Sequence, residues 1–216
     1  GRVARMLKVI GAGLSRTGTN SLHLALEALG LRSLHFDRAR LNDVLDGTNP
    51  KPDFRVYDDL DAVVDLPGAY FYPELLRAYP ESAVVLTVRE VESWWRSIEV
   101  HFNVVAPIPE YPRMLRRALN KLGWSGKHDA IDDFRRRLRN HVYGSPVAQE
   151  FMYKKKYRQH NEHVIATTPP ERLLVMDISA GEGWDKLCPF LQRAIPNAPF
   201  PHSHQTDYDN PAPWVG

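Results

Sequence analysis

The stretch Gly11-Ala12-Gly13-Leu14-Ser15-Arg16-Thr17-Gly18-Thr19-Asn20-Ser21 restricts the fold of this chain more than any other. Before it, an apolar run from Leu7 carries Val9 and Ile10, a pattern suited to a buried parallel strand. After it, Leu22, Ala25, Leu26 and Leu29 recur at helical spacing, and Gly30 is placed as a C-terminal cap. A strand, a glycine-rich turn and a helix in this order bring backbone N–H groups and a helix N-terminus together, which makes an anion site. Arg16 adds a full positive charge, and the hydroxyls of Ser15, Thr17, Thr19 and Ser21 add donors.

Two familiar phosphate patterns nearly fit. The dinucleotide fingerprint G-x-G-x-x-G is met at Gly11 and Gly13, with Asp37 as a possible ribose-binding acid, but Arg16 occupies the third glycine position, where close helix packing needs no side chain. The ATP-type loop G-x-x-x-x-G-K-[ST] is met at Gly13 and Gly18, but Thr19 replaces its lysine and Asn20 its magnesium-binding hydroxyl. A nicotinamide-dependent oxidoreductase and a nucleotide kinase or hydrolase are therefore disfavoured. A catalytically inactive nucleotide-binding protein stays open.

The rest of the chain continues the alternation. Strands are expected at Ala62 to Leu66, at Ala83 to Val88 and at Leu173 to Met176. Helices are expected near Ala39 to Leu45, around Glu74 to Leu76, through Trp94, Trp95 and Ile98, over Asp129 to His141, over Pro146 to Thr167 and over Trp184 to Arg193. Glu90 and Glu92 fall in the first turn of the helix after Val88, where negative charge suits the helix dipole. The expected fold is α/β: three layers with a central parallel sheet flanked by helices, of the P-loop nucleotide-binding type, formed as one domain over residues 1–216. Ligands in such folds bind beyond the carboxyl ends of the strands, just after Gly13, Asp65 and Val88. The region Pro107 to Ser125 has no clear pattern, and the tail from Pro196 is rich in proline.

Composition excludes several classes. A net charge of +2, with basic residues clustered only at Arg135 to Arg137 and Lys154 to Lys156, argues against a dedicated nucleic-acid binder. Cys188 is the one cysteine, so an internal disulfide and a multi-thiolate zinc site are both excluded. No run approaches the roughly 20 apolar residues of a membrane span, and the first residues carry no signal-peptide pattern. The expected location is cytoplasmic. Oligomeric state is not legible.

A second anion site is offered by Arg89, at the end of its strand, and Ser97, on the helix that follows. The stretch Val84-Val85-Leu86-Thr87-Val88-Arg89-Glu90-Val91-Glu92-Ser93-Trp94-Trp95-Arg96-Ser97 resembles the 3′-phosphate-binding segment of sulfotransferases that use 3′-phosphoadenosine 5′-phosphosulfate (PAPS). The Arg16-Thr17-Gly18-Thr19 loop is similar to that family's 5′-phosphosulfate loop, in a branch with arginine in place of lysine. The likeness runs from about Lys8 through Pro201 and includes Leu173 to Asp177 and Gly183-Trp184 with Leu187-Cys188. It departs from the cytosolic branch at Asn20-Ser21-Leu22, where those members carry an adenine-stacking tryptophan. The late Arg-Lys-Gly phosphate segment is also missing; Gly181-Glu182-Gly183 is the nearest feature.

The resemblance implies transfer of a sulfuryl group to a hydroxyl or amine of a small-molecule acceptor by in-line displacement. Adenosine 3′,5′-bisphosphate is released, and no metal is required. It implies donor binding by Ser15, Arg16, Thr17, Gly18, Thr19, Asn20, Ser21, Arg89 and Ser97, with Arg16 stabilising charge on the leaving oxygens. A base must take the acceptor's proton. Related enzymes place a histidine before a Leu-Pro pair; here the triplet is Asp65-Leu66-Pro67. Asp65 is thus the expected base, its pKa raised by burial, with His35 as the rival. Tyr70, Phe71, Tyr72, Phe102 and the stretch Pro107 to Trp124 are candidates for an apolar acceptor pocket.

Overall fold

The computed structural model describes residues 6–105, 118, 121–123 and 127–203. Pro107 to Ser125, apart from positions 118 and 121–123, lies outside the described residues, as does the tail after residue 203. Five short strands, β1 (Val9–Gly11), β2 (Ser33–His35), β3 (Ala62–Val64), β4 (Ala83–Thr87) and β5 (Leu173–Met176), form one sheet in the order β2-β3-β1-β4-β5. Every pairing is parallel: Val9 and Ile10 face Ala62 and Val63 on one side and Ala83 and Val84 on the other. Parallel strands need crossovers, and these are helical: α1 (Thr19–Ala28), α2 (Asn42–Leu45), α3 (Tyr72–Ala78), then α4 (Val91–Val100), α5 (Lys127–Tyr143) and α6 (Glu150–Thr167), with α7 (Trp184–Leu191) last.

Alternation along the strands sets the layers. Val9, Ala62, Val64 and Val85 pack against Leu22 and Leu26 of α1 and Leu187 and Cys188 of α7. Ile10, Val63, Val84 and Leu86 face the other way, onto Leu75 of α3 and Val164 of α6. Both faces of the central strands are therefore buried, which is why they read as continuous apolar runs. A third cluster joins Leu14 and Leu66, which follow β1 and β3, to Trp94, Trp95 and Ile98 of α4, Leu138 of α5 and Tyr157 of α6. Trp94 stacks on Tyr157 at 4.1 Å and Tyr143 on Tyr153 at 4.4 Å. Helices α4 to α6 thus carry an aromatic core of their own next to the strand ends.

The structure departs from the sequence expectations most clearly in three places. Strand β2 has no sequence counterpart, because it is an edge strand of three half-buried residues with no apolar run. Helix α2 is confined to Asn42–Leu45, since Asp37 accepts the N–H groups of Ala39 and Arg40 and closes a turn there instead. Glu90 is not in the first turn of α4 but caps it, its carboxylate accepting from the N–H groups of Glu92 and Ser93 at 2.9 and 2.8 Å.

Gly13 is required by close packing. A Cβ there would lie 1.9 Å from Thr87 Oγ1 and 2.7 Å from the Thr87 carbonyl oxygen, which belongs to the rigid end of β4. Gly13→Ala is therefore expected to lose about 1–3 kcal/mol of stability, read as a lower urea midpoint at unchanged slope. A midpoint equal to wild type would show that the loop relaxes freely.

Candidate active site

The loop between β1 and α1 is held from three sides. Trp94 Nε1 donates to the Ser15 carbonyl at 3.0 Å, and His160 Nε2 donates to the Ala12 carbonyl at 2.6 Å. The Thr17 hydroxyl donates to the Leu14 carbonyl at 2.7 Å and lies 2.7 Å from Thr87 Oγ1. So fixed, the chain turns through two left-handed residues, Arg16 (φ 72°) and Gly18 (φ 89°), and enters α1. Gly18 supplies no capping side chain and the first turn holds no acid, so its N–H groups point outward without a side-chain acceptor. With the helix dipole behind them they suit an anion.

Opposite the loop stands Asp65, the residue after β3, with φ 71° and 5% of its surface exposed. Its Oδ1 accepts from the Ser15 hydroxyl at 2.6 Å and from the Leu66 N–H at 2.7 Å. Its Oδ2 accepts from the Thr19 hydroxyl at 3.0 Å and lies 3.1 Å from His35 Nε2. Nε2 is also 3.1 Å from Thr19 Oγ1. Since the one hydroxyl proton of Thr19 goes to Asp65, Thr19 accepts from His35, which places the ring proton on Nε2 and leaves Nδ1 as the basic nitrogen. Burial would by itself raise the Asp65 pKa, but the His35 contact, the Ser15 hydroxyl and the Leu66 N–H outweigh it and hold the carboxyl below its ordinary range. The expectation of a raised Asp65 pKa is thus corrected: four donors, not burial, decide its charge.

Arg89 leaves the end of β4, its N–H donating to the Tyr157 hydroxyl at 2.8 Å while that hydroxyl donates to the Arg89 carbonyl at 2.7 Å. Its Nε donates to Ser93 Oγ at 2.8 Å. Ser97, one turn further along α4, is buried and accepts instead from Arg16 Nε at 2.9 Å. Each serine of this helix face thus serves a different arginine.

Ser15, Arg16, Gly18, Thr19, Asn20 and Ser21 line one cleft of about 1230 Å³ together with His35, Asp65 and Arg89. Thr17 and Ser97 do not line it. The Thr17 hydroxyl is spent on Leu14 and Thr87, so only its backbone N–H remains as a possible donor. Among the described residues, four non-glycine residues have positive φ, and three of them, Arg16, Phe36 and Asp65, line this cleft. Such backbone costs about 1–3 kcal/mol per residue and gathers where geometry serves a site.

Of the described aromatic residues expected to line an acceptor pocket, only Phe102 does so, joined by Phe36, Leu66 and Leu138; most of Pro107 to Trp124 lies outside the described residues. Tyr72 is buried against His160 and His163, while Tyr70 and Phe71 pack on each other. Asp37 accepts the Tyr57 hydroxyl at 2.8 Å and is buried, so it is not a ribose ligand. Sequence reasoning missed His101, Arg38, Arg135 and Arg139, which all face the cleft. Burial and the guanidinium groups of Arg16, Arg139 and Arg135 push His101 down to a pKa of about 4, so it is neutral at physiological pH. Ile178, Ser179, Gly181, His202 and Ser203 close another wall, and the Ser203 N–H donates to Ser21 Oγ at 3.1 Å. A helical spacing of four between Arg135 and Arg139 was the available signal for that pair; His202 and Ser203 had none.

A family model described as a sulfotransferase domain matches residues 8–208 of the chain. The Ava biosynthesis cluster protein M of Aspergillus versicolor is 29% identical over 222 residues, covering 93% of this chain and 82% of the relative. No helix among the described residues is long and apolar enough to cross a membrane.

Proposed function

The chain belongs to the sulfotransferase domain family, and we propose that it transfers a sulfuryl group from PAPS to a hydroxyl or amine of a small acceptor. The observation that carries the reading is the placement of two arginines, Arg16 and Arg89, and the open N-terminus of α1 in the same cleft as the Asp65–His35 pair. The cleft's donor set, guanidinium, hydroxyl and backbone N–H, suits a phosphorylated nucleotide, and its volume is ample for one.

In this reading Arg89 holds the 3′-phosphate, and Arg16 with the backbone N–H groups of Thr17, Gly18, Thr19 and Asn20 holds the phosphosulfate. PAPS supplies an activated sulfuryl group whose bond to the phosphate breaks as a bond to the acceptor oxygen or nitrogen forms. Ser97, bonded to Arg16 Nε, fixes the guanidinium plane, and the Arg16 charge lies where it can oppose the charge that develops on the leaving oxygens. The acceptor's proton goes to the Asp65–His35 pair. Because Asp65 is held below the ordinary carboxylate range, the proton comes to rest on His35 Nδ1, and the pair ends as a compact Asp65⁻–His35⁺ ion pair. Asp65 then stays charged opposite the protonated ring, and proton uptake needs no carboxylic acid. Thr19, bonded to both, keeps the ring in the tautomer that this transfer requires.

Calorimetric titration with adenosine 3′,5′-bisphosphate tests the donor site. Wild type is expected to bind it at least about 30-fold more tightly than adenosine 5′-monophosphate, and Arg89→Ala is expected to abolish most of that preference, since a charge-assisted hydrogen bond is worth about 1.5–3 kcal/mol. Equal binding of the two nucleotides would remove the reading.

A further inference from the structure

The cleft is more basic than a nucleotide donor alone explains. Five arginines, Arg16, Arg38, Arg89, Arg135 and Arg139, line it against one carboxylate, Asp65. Arg16 and Arg89 stand on the elements that surround the α1 N-terminus. The other three come from elsewhere. Arg38 lies three residues beyond His35, on the loop that leaves β2, and Arg135 and Arg139 lie one turn apart on α5. Helix α5 is fixed over that loop: Phe134 meets Phe36 edge-on with ring centroids 5.8 Å apart, and Arg137 Nε lies 3.0 Å from Asp46 Oδ1 of the residue after α2.

The three arginines are close enough to act on each other. Burial lowers the Arg135 pKa and Arg38 lowers it further, against the opposing pull of Asp132, whose Oδ1 lies 3.7 Å from Arg135. Burial pushes Arg139 down to about 10, with Arg135 adding to the shift. Arg139 is 5% exposed and lies 3.7 Å over the Phe102 ring, so it is held in place. Arg38 rests 5.8 Å from the Phe36 ring. Like charges gathered in a partly desolvated cleft destabilise one another, and an anion placed among them removes that cost. The apolar groups between them, Phe36, Phe102 and Leu138, offer a body for that anion to be attached to.

Resting on the sulfotransferase reading above, we propose that the acceptor is an anion: a hydroxyl-bearing molecule with an apolar or aromatic body and a carboxylate, which Arg135 and Arg38 bind on the His35 side of the cleft. Arg139 serves as the rigid floor beneath it, through Phe102. The acceptor hydroxyl then points back toward His35 and Asp65, and the carboxylate keeps it from binding the other way round. A neutral phenol lacks the anchor, and an amine is repelled.

The test uses para-hydroxyphenylacetate, its neutral amide para-hydroxyphenylacetamide, and tyramine. Each is titrated into the full chain by calorimetry, with and without saturating adenosine 3′,5′-bisphosphate. The acid is expected to bind about tenfold more tightly than the amide, with tyramine weakest. Arg135→Gln is expected to bring acid and amide within about threefold. Arg38→Gln, a change at an exposed position that leaves α5 intact, is expected to act in the same direction. Neither variant should alter the affinity for the bisphosphate. An acid that binds no better than its amide, or not at all, overturns the proposal. So does a preference that survives in both variants, or a loss of bisphosphate affinity that shows these arginines to serve the donor. Failure of wild type to bind the bisphosphate would sink the donor reading instead, and the acid-to-amide ratio measured without nucleotide would still be read separately.

Discussion

Asp65→Asn is expected to lower turnover by about two to four orders of magnitude, the range lost when an acid–base partner is removed, while binding of adenosine 3′,5′-bisphosphate is retained. The carboxylate touches Ser15, Thr19, Leu66 and His35 at once, and an amide cannot satisfy them all. It offers one accepting oxygen, and its NH₂ group must face a hydroxyl or the His35 Nε2–H. The imidazolium that forms on proton uptake would have no counter-charge. His35→Gln is expected to cost about as much, and the double variant little more, because the two residues act as one unit. Turnover by Asp65→Asn within tenfold of wild type, measured with any acceptor that wild type converts, would remove the pair from the chemistry.

The same substitution has a pH signature. Asp65 has a lower pKa folded than unfolded, so its charge contributes stability that is fully present above the unfolded value of about 3.9 and is lost as pH falls through the lower folded value. Asp65→Asn should therefore be most destabilised relative to wild type near neutral pH, by about 1–3 kcal/mol. The gap should narrow below about pH 3.9. Urea unfolding at the two ends of that range checks it, and a constant gap would mean that the carboxylate's charge contributes nothing.

How much of this was legible in the sequence follows from which signals are local. Strands β1, β4 and β5 are central or face α-helices on both sides, so their apolar runs announce them. The edge strand β2 exists because Ser33, Leu34 and His35 pair with Ala62, Val63 and Val64, a relation that no local pattern encodes. Its importance exceeds its length, since it is what delivers His35 to Asp65. The loop between β1 and α1 was readable as a strand–turn–helix because glycine and helix spacing are local features. The partners of its side chains were not. Ser97 and Ser93 stand one turn apart on the same helix, and spacing alone cannot say which arginine takes which serine. Asp65 stood out in the sequence through its Leu-Pro neighbours, but its surroundings, Ser15, Thr19 and His35, meet only in the folded cleft. The basic wall from α5 was read as a solvated helix face, as most charge runs are; its burial under α2 and the β2 loop is a tertiary fact.

Arg16→Gly is expected to separate catalysis from stability more sharply than any other change in the chain. Arg16 sits at φ 72°, where a side chain costs about 1 kcal/mol or more and glycine costs nothing of the kind. Against that gain stand the lost hydrogen bond to Ser97 and the greater freedom of glycine in the unfolded chain, each of similar size. Net stability should therefore stay within about 1 kcal/mol of wild type. Turnover should fall by about two to three orders of magnitude, the loss seen when one preorganised donor to a developing negative charge is removed. His101 supplies an internal check. Its pKa of about 4 is set first by burial and then by the Arg16 charge, so removing that charge should raise it, an outcome visible in the ring-proton shifts of an NMR titration. A variant that keeps its stability, raises the His101 pKa and loses turnover would show that the strain at Arg16 is held for the charge it presents. Turnover within threefold of wild type, with the same rise at His101, would show that the guanidinium faces the cleft without serving the reaction, and the leaving-group role would pass to the α1 N–H groups alone.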